Sequence, residues 1–235
     1  MINMYTRTEL VYGEKLENIK KATIMVVGVG GVGSYAAEAL ARTGVGKIIL
    51  VDKDEVDVTN INRQLHALHS TIGRQKVEVM KERMLDINPA LEVILINKFE
   101  LDEAFQLIPS CDFVIDAIDT ITNKLLLIKE CLRHKVQFIS AMGAANKVDP
   151  TKFEIADISK TQYDPIARII RRKLRNERTK GKVPVVYSKE IPRKQDKVLI
   201  DSKIRKQSTP PGSIAFVPSV VGMICASYAI KCIIE

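Results

Sequence analysis

Short apolar runs separated by polar or glycine-rich breaks recur along the first 145 residues and set the first reading of the chain. Residues 24–27, Ile-Met-Val-Val, carry no polar alternation, the pattern of a parallel strand buried on both faces. Residues 47–51, 91–96, 113–118 and 136–140 repeat it. Helical patterns lie between them. Residues 32–43 are rich in alanine and end at Gly44, a C-terminal cap. A second helix opens within Thr71-Ile72-Gly73-Arg74-Gln75-Lys76 and runs to about Ile87, and a third covers 122–133. Residues 1–20 read as an amphipathic helical lead-in. Strands alternating with helices predict an α/β fold with a parallel sheet.

After Asp149-Pro150 the pattern changes. Residues 152–158 and 183–188 are strand-like, and Pro165 opens a helix with Ile166, Ile169, Ile170 and Leu174 on one face. Residues 189–212 are polar, hold Pro210-Pro211-Gly212, and read as a mobile loop. The apolar run 214–234 is long enough to cross a membrane, but Pro218, Ser219, Ser227 and Lys231 favour a buried helix. Residues 1–150 thus form a core and 151–235 a C-terminal extension packed on it, within one structural domain.

The glycines alter the picture most. Gly28, Gly30 and Gly33 have G-x-G-x-x-G spacing, with Gly31 inside it, directly between a strand and a helix. Glycines there let the backbone approach a phosphate chain, and the helix's first N–H groups face its charge. The fold expected is therefore Rossmann-like, a mostly parallel sheet flanked by helices. Its extension adds strands, a basic helix and an apolar helix. Asp52, at the end of the next strand, is placed to accept from ribose hydroxyls. The polar segment Asp57-Val58-Thr59-Asn60-Ile61-Asn62-Arg63-Gln64-Leu65-His66 follows. Taken singly, Arg63 and Lys76 read as surface cations. Beside Asp52 and Asn60 they read as groups that neutralise a triphosphate and stabilise charge on its α-phosphate. Asp119, past the strand at 113–118, can hold magnesium against phosphates or cap the next helix.

Composition adds less. The chain has 235 residues, 46% of them apolar, a net charge of +8 and a pI near 9.3. That charge suits nucleotides and nucleic acids, and equally a surface that keeps a protein soluble. Much of it lies in residues 164–182, with Arg168, Arg171, Arg172, Lys173, Arg175, Arg178, Lys180 and Lys182. This basic segment fits an RNA-gripping surface or a solvated face. Cys111, Cys131, Cys225 and Cys232 include no C-x-x-C pair, which excludes a zinc site built from two such pairs. No signal peptide begins the sequence, and a cytoplasmic setting is expected. His66, His69 and His134 are given no catalytic role.

Gly28-Val29-Gly30-Gly31-Val32-Gly33-Ser34, Asp52-x-Asp54, Asn60-Ile61-Asn62-Arg63-Gln64, Gly73-x-x-Lys76 and Asp116-Ala117-Ile118-Asp119 together resemble the adenylation core of ubiquitin-activating-type enzymes. Gly143 to Asp149, Asp157-Ile158-x-Lys160-Thr161, Asp164-Pro165 and Val185-Val186-Tyr187-Ser188 resemble the family of tRNA threonylcarbamoyladenosine dehydratases. The resemblance implies an ATP-dependent enzyme with tRNA carrying threonylcarbamoyladenosine as substrate. Its carboxylate is adenylated, and the side chain then cyclises with release of AMP. It also implies that Gly28, Gly30, Gly31 and Gly33 line the ATP loop. Asp52 and Asp54 lie at the ribose side; Asn60, Arg63, Gln64 and Lys76 at the triphosphate; and Asp119 on Mg2+. Arg7 resembles an arginine that reaches the γ-phosphate from a partner subunit, which makes a homodimer part of the expectation. The cysteine pairs of sulfur-carrier adenylating enzymes are missing, so no zinc is expected. No cysteine falls between 141 and 212 to form a thioester. The alternative is an adenylating enzyme for a ubiquitin-like or sulfur-carrier C-terminus, and a sulfur-transfer partner protein is a further expectation.

Overall fold

The computed structural model describes residues 2–97, 101–195 and 211–235. The strands are β1 (Thr23–Val27), β2 (Lys47–Val51), β3 (Glu92–Ile96), β4 (Phe113–Asp116), β5 (Gln137–Ala141), β6 (Phe153–Asp157) and β7 (Pro184–Ser188). They form one sheet in the order β3-β2-β1-β4-β5-β7-β6. Every neighbouring pair is parallel except β6 with β7. The order reverses between β1 and β4, so the crevice outside their carboxyl ends is where ligands gather in such sheets.

The helices are α1 (Thr6–Tyr12), α2 (Leu16–Lys21), α3 (Gly33–Thr43), α4 (Lys76–Ile87), α5 (Leu101–Leu107), α6 (Ile121–His134), α7 (Pro165–Asn176) and α8 (Phe216–Ile234). Each inner strand divides its side chains between two apolar clusters, because successive residues point to opposite faces. Ile24 and Val26 of β1 join α2, α3, α4 and α8 on one face. Met25 and Val27 join α6 and α7 on the other. An unbroken apolar strand is the consequence of burial on both sides.

Several expectations need correction. The lead-in splits into α1 and α2 at Gly13, and α1 buries none of its residues. The second long helix begins at Lys76, the last residue of the expected opening segment 71–76, because Gly73 has φ +82° and Gln75 is extended. Ile169 is only half-buried, and Ala167 takes its place beside Ile170 and Leu174. Of the loop expected over 189–212, residues 196–210 lie outside the described residues. Both described flanks meet Asn146, whose carbonyl accepts from Arg193 N–H (2.7 Å) and whose Oδ1 accepts from Gly212 N–H (2.7 Å).

α8 is long and apolar enough to span a membrane by composition, with a mean hydropathy of 1.8 over its window. Here it lies along α3, with Val217, Val221, Cys225, Ala229 and Ile230 in the core. A Cβ on Gly222 would stand 2.3 Å from the Val32 carbonyl oxygen, so the two helices meet at backbone distance.

Candidate active site

The glycine loop is fixed by its close approaches. Gly28 has φ +90°, donates its N–H to Val51 O (2.8 Å), and leaves only 2.7 Å between a would-be Cβ and the Ala117 carbonyl oxygen. At Gly33 that Cβ would stand 1.8 Å from the Gly28 carbonyl oxygen. Pro218 of α8 packs on Gly31 from behind, 3.1 Å from where its Cβ would lie. The loop therefore ties β1, β2, β4 and α8 together. Val32 stands at the N-cap of α3 with no side-chain cap; Ser34 N–H donates to Gly30 O (3.0 Å), and the positive end of the helix dipole is left to face an anion.

Asp52 anchors the glycine loop. Its Oδ2 accepts from Val29 N–H (2.6 Å) and its Oδ1 from Asp54 N–H (2.9 Å), so the carboxylate pins the loop to the end of β2. Burial raises its pKa, opposed by the nearby Lys76 charge and these two donors. Lys76, buried at the start of α4, sets its Nζ 3.0 Å from Asp54 Oδ2. An ammonium at a helix start, next to the glycine loop, is a fixed positive charge for phosphate.

The polar segment is held by its own turns. Asp57 caps the 3-10 turn Val58–Asn60, accepting from Thr59 N–H (2.8 Å), while Asn60 Oδ1 accepts from Asp57 N–H (3.1 Å). Arg63 Nη1 donates to Thr59 O (2.8 Å) and Asn62 Oδ1 (2.9 Å), and Asn62 Nδ2 donates to Ser213 O (2.9 Å). Arg63's own carbonyl lies against Gly31. Asp57→Ala removes the cap and should cost about 1 kcal/mol, read as a lower urea midpoint. An unchanged midpoint would show that the cap does not stabilise this segment.

Gln64 and His66 are buried here, and Gln64 Oε1 and both His66 ring nitrogens lack partners among the described residues. Burial, with the Lys76 charge in second place, pulls the His66 pKa from 6.5 down to about 4. The ring is therefore neutral in the fold at pH 7. The unfolded chain takes up its proton near 6.5 and the fold resists until about 4. The stability this provides is complete above pH 6.5 and is lost as pH falls through that window, by at most ~1.4 kcal/mol per unit. His66→Phe should flatten the acid limb of a melting-temperature profile from pH 7 to 4.5, and an unaltered limb would rule out His66 as its source.

Behind the switch point sits a cluster that the sequence reading left unassigned. Lys124 and Asp116, each 1% exposed, pair at 2.9 Å. The Ser140 hydroxyl donates to Asp116 Oδ2, and Asp116 Oδ1 accepts from Ile118 N–H (3.1 Å). This holds the turn that presents Asp119, which is exposed. Asp119 does not cap α6: Thr120 stands at that position without a side-chain cap, and its hydroxyl donates to Asp119 Oδ1 (3.3 Å). A second buried pair, Lys147–Asp164 at 2.9 Å, fastens the turn after β5 to the start of α7. Arg7 is exposed on α1.

Burial pushes the Cys111 and Cys225 thiols up to about 12 and the Cys131 thiol higher still. Among the described residues no group of three His, Cys, Asp or Glu side chains is placed to hold a metal alone. A single exposed carboxylate such as Asp119 can hold magnesium only where a ligand's phosphates share the ion.

A model of the ThiF family matches residues 5–235. The Bacillus subtilis tRNA threonylcarbamoyladenosine dehydratase is 53% identical, over 98% of this chain and 94% of its own. The Escherichia coli enzyme of the same name is 44% identical, over 78% of this chain and 72% of its own. A crystal structure of the Escherichia coli dehydratase in complex with AMP superposes with a TM-score of 0.85 at 39% identity, covering 97% of this chain and 92% of that one. The same enzyme in complex with ATP gives 0.85 at 38%, covering 98% and 93%.

Proposed function

The chain belongs to the ThiF family, and from that premise we propose that it is an ATP-dependent tRNA threonylcarbamoyladenosine dehydratase. It adenylates the carboxylate of the threonylcarbamoyl group and lets the side chain close on itself with release of AMP. The observation that carries this reading is the Asp52 carboxylate bound to the glycine loop at the sheet's switch point, with the Lys76 ammonium, paired to Asp54, close enough for its charge to act on Asp52.

A carboxylate is a poor acyl donor until it bears a good leaving group. Its oxygen attacks the α-phosphorus, the P–O bond to pyrophosphate breaks, and an acyl-adenylate results. The substrate's own nucleophile then attacks the acyl carbon, loses its proton, and AMP departs. Water is removed overall at the expense of ATP. No protein nucleophile is needed, in keeping with thiols that burial holds protonated.

The chain's contribution is position and charge. Asp52 holds loop and ribose together. Gly28, Gly30, Gly31 and Gly33 admit the phosphate chain, with Asp54 orienting Lys76 beside it. Asn60, Arg63 and Gln64 flank the triphosphate, and Lys76 counters the charge that grows on the α-phosphate. Asp119 holds the magnesium that, when bound, screens the phosphates. The same reading includes a homodimer. α1 leaves Leu10 and Val11 about 80% exposed, which suits packing on a second copy, and in such a dimer Arg7 would reach the partner's γ-phosphate. A cytoplasmic setting follows from a tRNA substrate.

The test is formation of AMP and pyrophosphate from ATP with tRNA carrying threonylcarbamoyladenosine and with tRNA lacking it. Product that depends on the modification supports the reading. ATP consumption indifferent to that tRNA overturns it.

A further inference from the structure

The dehydratase reading leaves unsaid how a nucleic acid many times wider than the crevice is held, and the surface of α7 answers it. Residues 165–182 contain eight Lys and Arg against the single acid Glu177, a charge of +7 out of +8 for the whole chain. Glu177 is itself spent on Lys129 at 2.7 Å. Among the described residues, Arg168, Arg172, Arg175, Arg178, Lys180 and Lys182 are exposed and none is paired with a carboxylate.

These cations are not what folds the helix. Asp164 caps it, accepting from Ala167 N–H at 2.9 Å, and Ala167, Ile170 and Leu174 seat it in the core. Arg171 is the exception, donating to the Ile158 and Thr161 carbonyls at 3.1 and 2.9 Å. The remaining arginines form a stripe. Arg168, Arg172 and Arg175 stand at i, i+4 and i+7, on one face over roughly 10 Å of axis. Like charges at that spacing repel one another, and a polyanion relieves the repulsion.

The stripe also starts in the right place. The Lys147–Asp164 pair and the approach of Asp164 to Gly143 put the start of α7 beside the turn after β5. β5 neighbours β4, whose carboxyl end presents Asp119. From that edge α7 runs down the flank of the sheet beside α6, and Arg178, Lys180 and Lys182 prolong it toward the amino end of β7. A nucleotide reaching into the crevice leaves its neighbouring backbone lying along this line.

We propose that the exposed face of α7, with Arg168, Arg172 and Arg175 at its centre and Arg178, Lys180 and Lys182 beyond, grips the sugar-phosphate backbone of the substrate tRNA. The proposal rests on the dehydratase reading. It assigns these groups to affinity and register, with no part in the chemistry at the α-phosphate. Backbone contacts position a nucleic acid without reading its sequence.

The experiment is tRNA binding across a range of salt concentrations by the full chain and by the triple variant Arg168→Gln/Arg172→Gln/Arg175→Gln, with steady-state AMP formation alongside. Each lost phosphate contact lowers the slope of log K against log salt by about 0.7–0.9, so the triple variant should show a slope shallower by about 2–3. The KM for tRNA should rise at least tenfold, with kcat at saturating tRNA and ATP binding unchanged. Removing equal charge through Lys20→Gln/Lys47→Gln/Lys231→Gln should leave the slope in place. An unchanged slope in the α7 variant, or an equal drop in the control, overturns the proposal. Wild-type protein that leaves tRNA unbound sinks the dehydratase reading together with it. Wild type that binds and turns over tRNA while the α7 variant matches it sinks only this surface.

Discussion

Lys76→Met is expected to lower kcat/KM for AMP formation by roughly 10²–10³, the scale seen when one preorganised charge-stabilising donor is removed from a reacting centre. The reason lies in how the ammonium is held. It is 6% exposed, at the first residue of α4, and oriented by Asp54 at 3.0 Å. A cation so placed needs little reorganisation as negative charge grows on the α-phosphate. Asp54 is more than half exposed, so losing its partner leaves a solvated carboxylate and the fold intact. Lys76→Arg should not restore activity, since a planar fork cannot occupy the space of a compact ammonium beside a fixed carboxylate. Steady-state kinetics with an unfolding curve for each variant decides the matter. Full kcat/KM in a folded Lys76→Met protein would remove Lys76 from the chemistry.

Gly33→Ala is expected to destabilise the protein by about 4 kcal/mol or more and to abolish ATP binding, a size reserved for changes that force the backbone apart. The new Cβ would lie 1.8 Å from the Gly28 carbonyl oxygen and 3.3 Å from Val26 Cγ1. No rotamer relieves this, because the clash involves the Cβ itself. Either α3 lifts off β1 or the loop opens, and both moves break the bond from Val29 N–H to Asp52. Gly30→Ala is the internal control, for its Cβ would meet nothing nearer than Gln64 Nε2 at 3.8 Å. Urea unfolding of the two variants should separate them clearly. Equal behaviour would mean that the loop's close packing does not govern the site.

Much of the architecture was legible because burial on both faces leaves a mark that apolar runs carry. Lys47–Val51 was read with its observed bounds, and β1, β4 and β5 to within two residues. The glycine spacing was legible for the same reason, since only glycine survives at Gly28 and Gly33. What escaped were charged and polar groups in the interior. Lys124, Lys147 and Asp164 belong to residue types that almost always face water, and only the neighbour across the fold reveals why each is buried. His66 was set aside for want of an acidic or thiol neighbour in sequence. Its environment comes first from burial and then from the charge of Lys76, ten positions away in sequence. Asp52 was read as a ribose ligand, and its bond to the loop's own backbone could not be seen in a linear motif.

The packing of Pro218 and Gly222 against the loop and α3 carries a consequence for how the chain comes into being. Residues 23–33 emerge from the ribosome long before residues 216–234, and at 5–20 residues per second the gap is roughly 10–40 s. Through that interval the nascent glycine loop lacks the Pro218 packing behind it. The side of α3 that Gly222 approaches stays uncovered until α8 has been made.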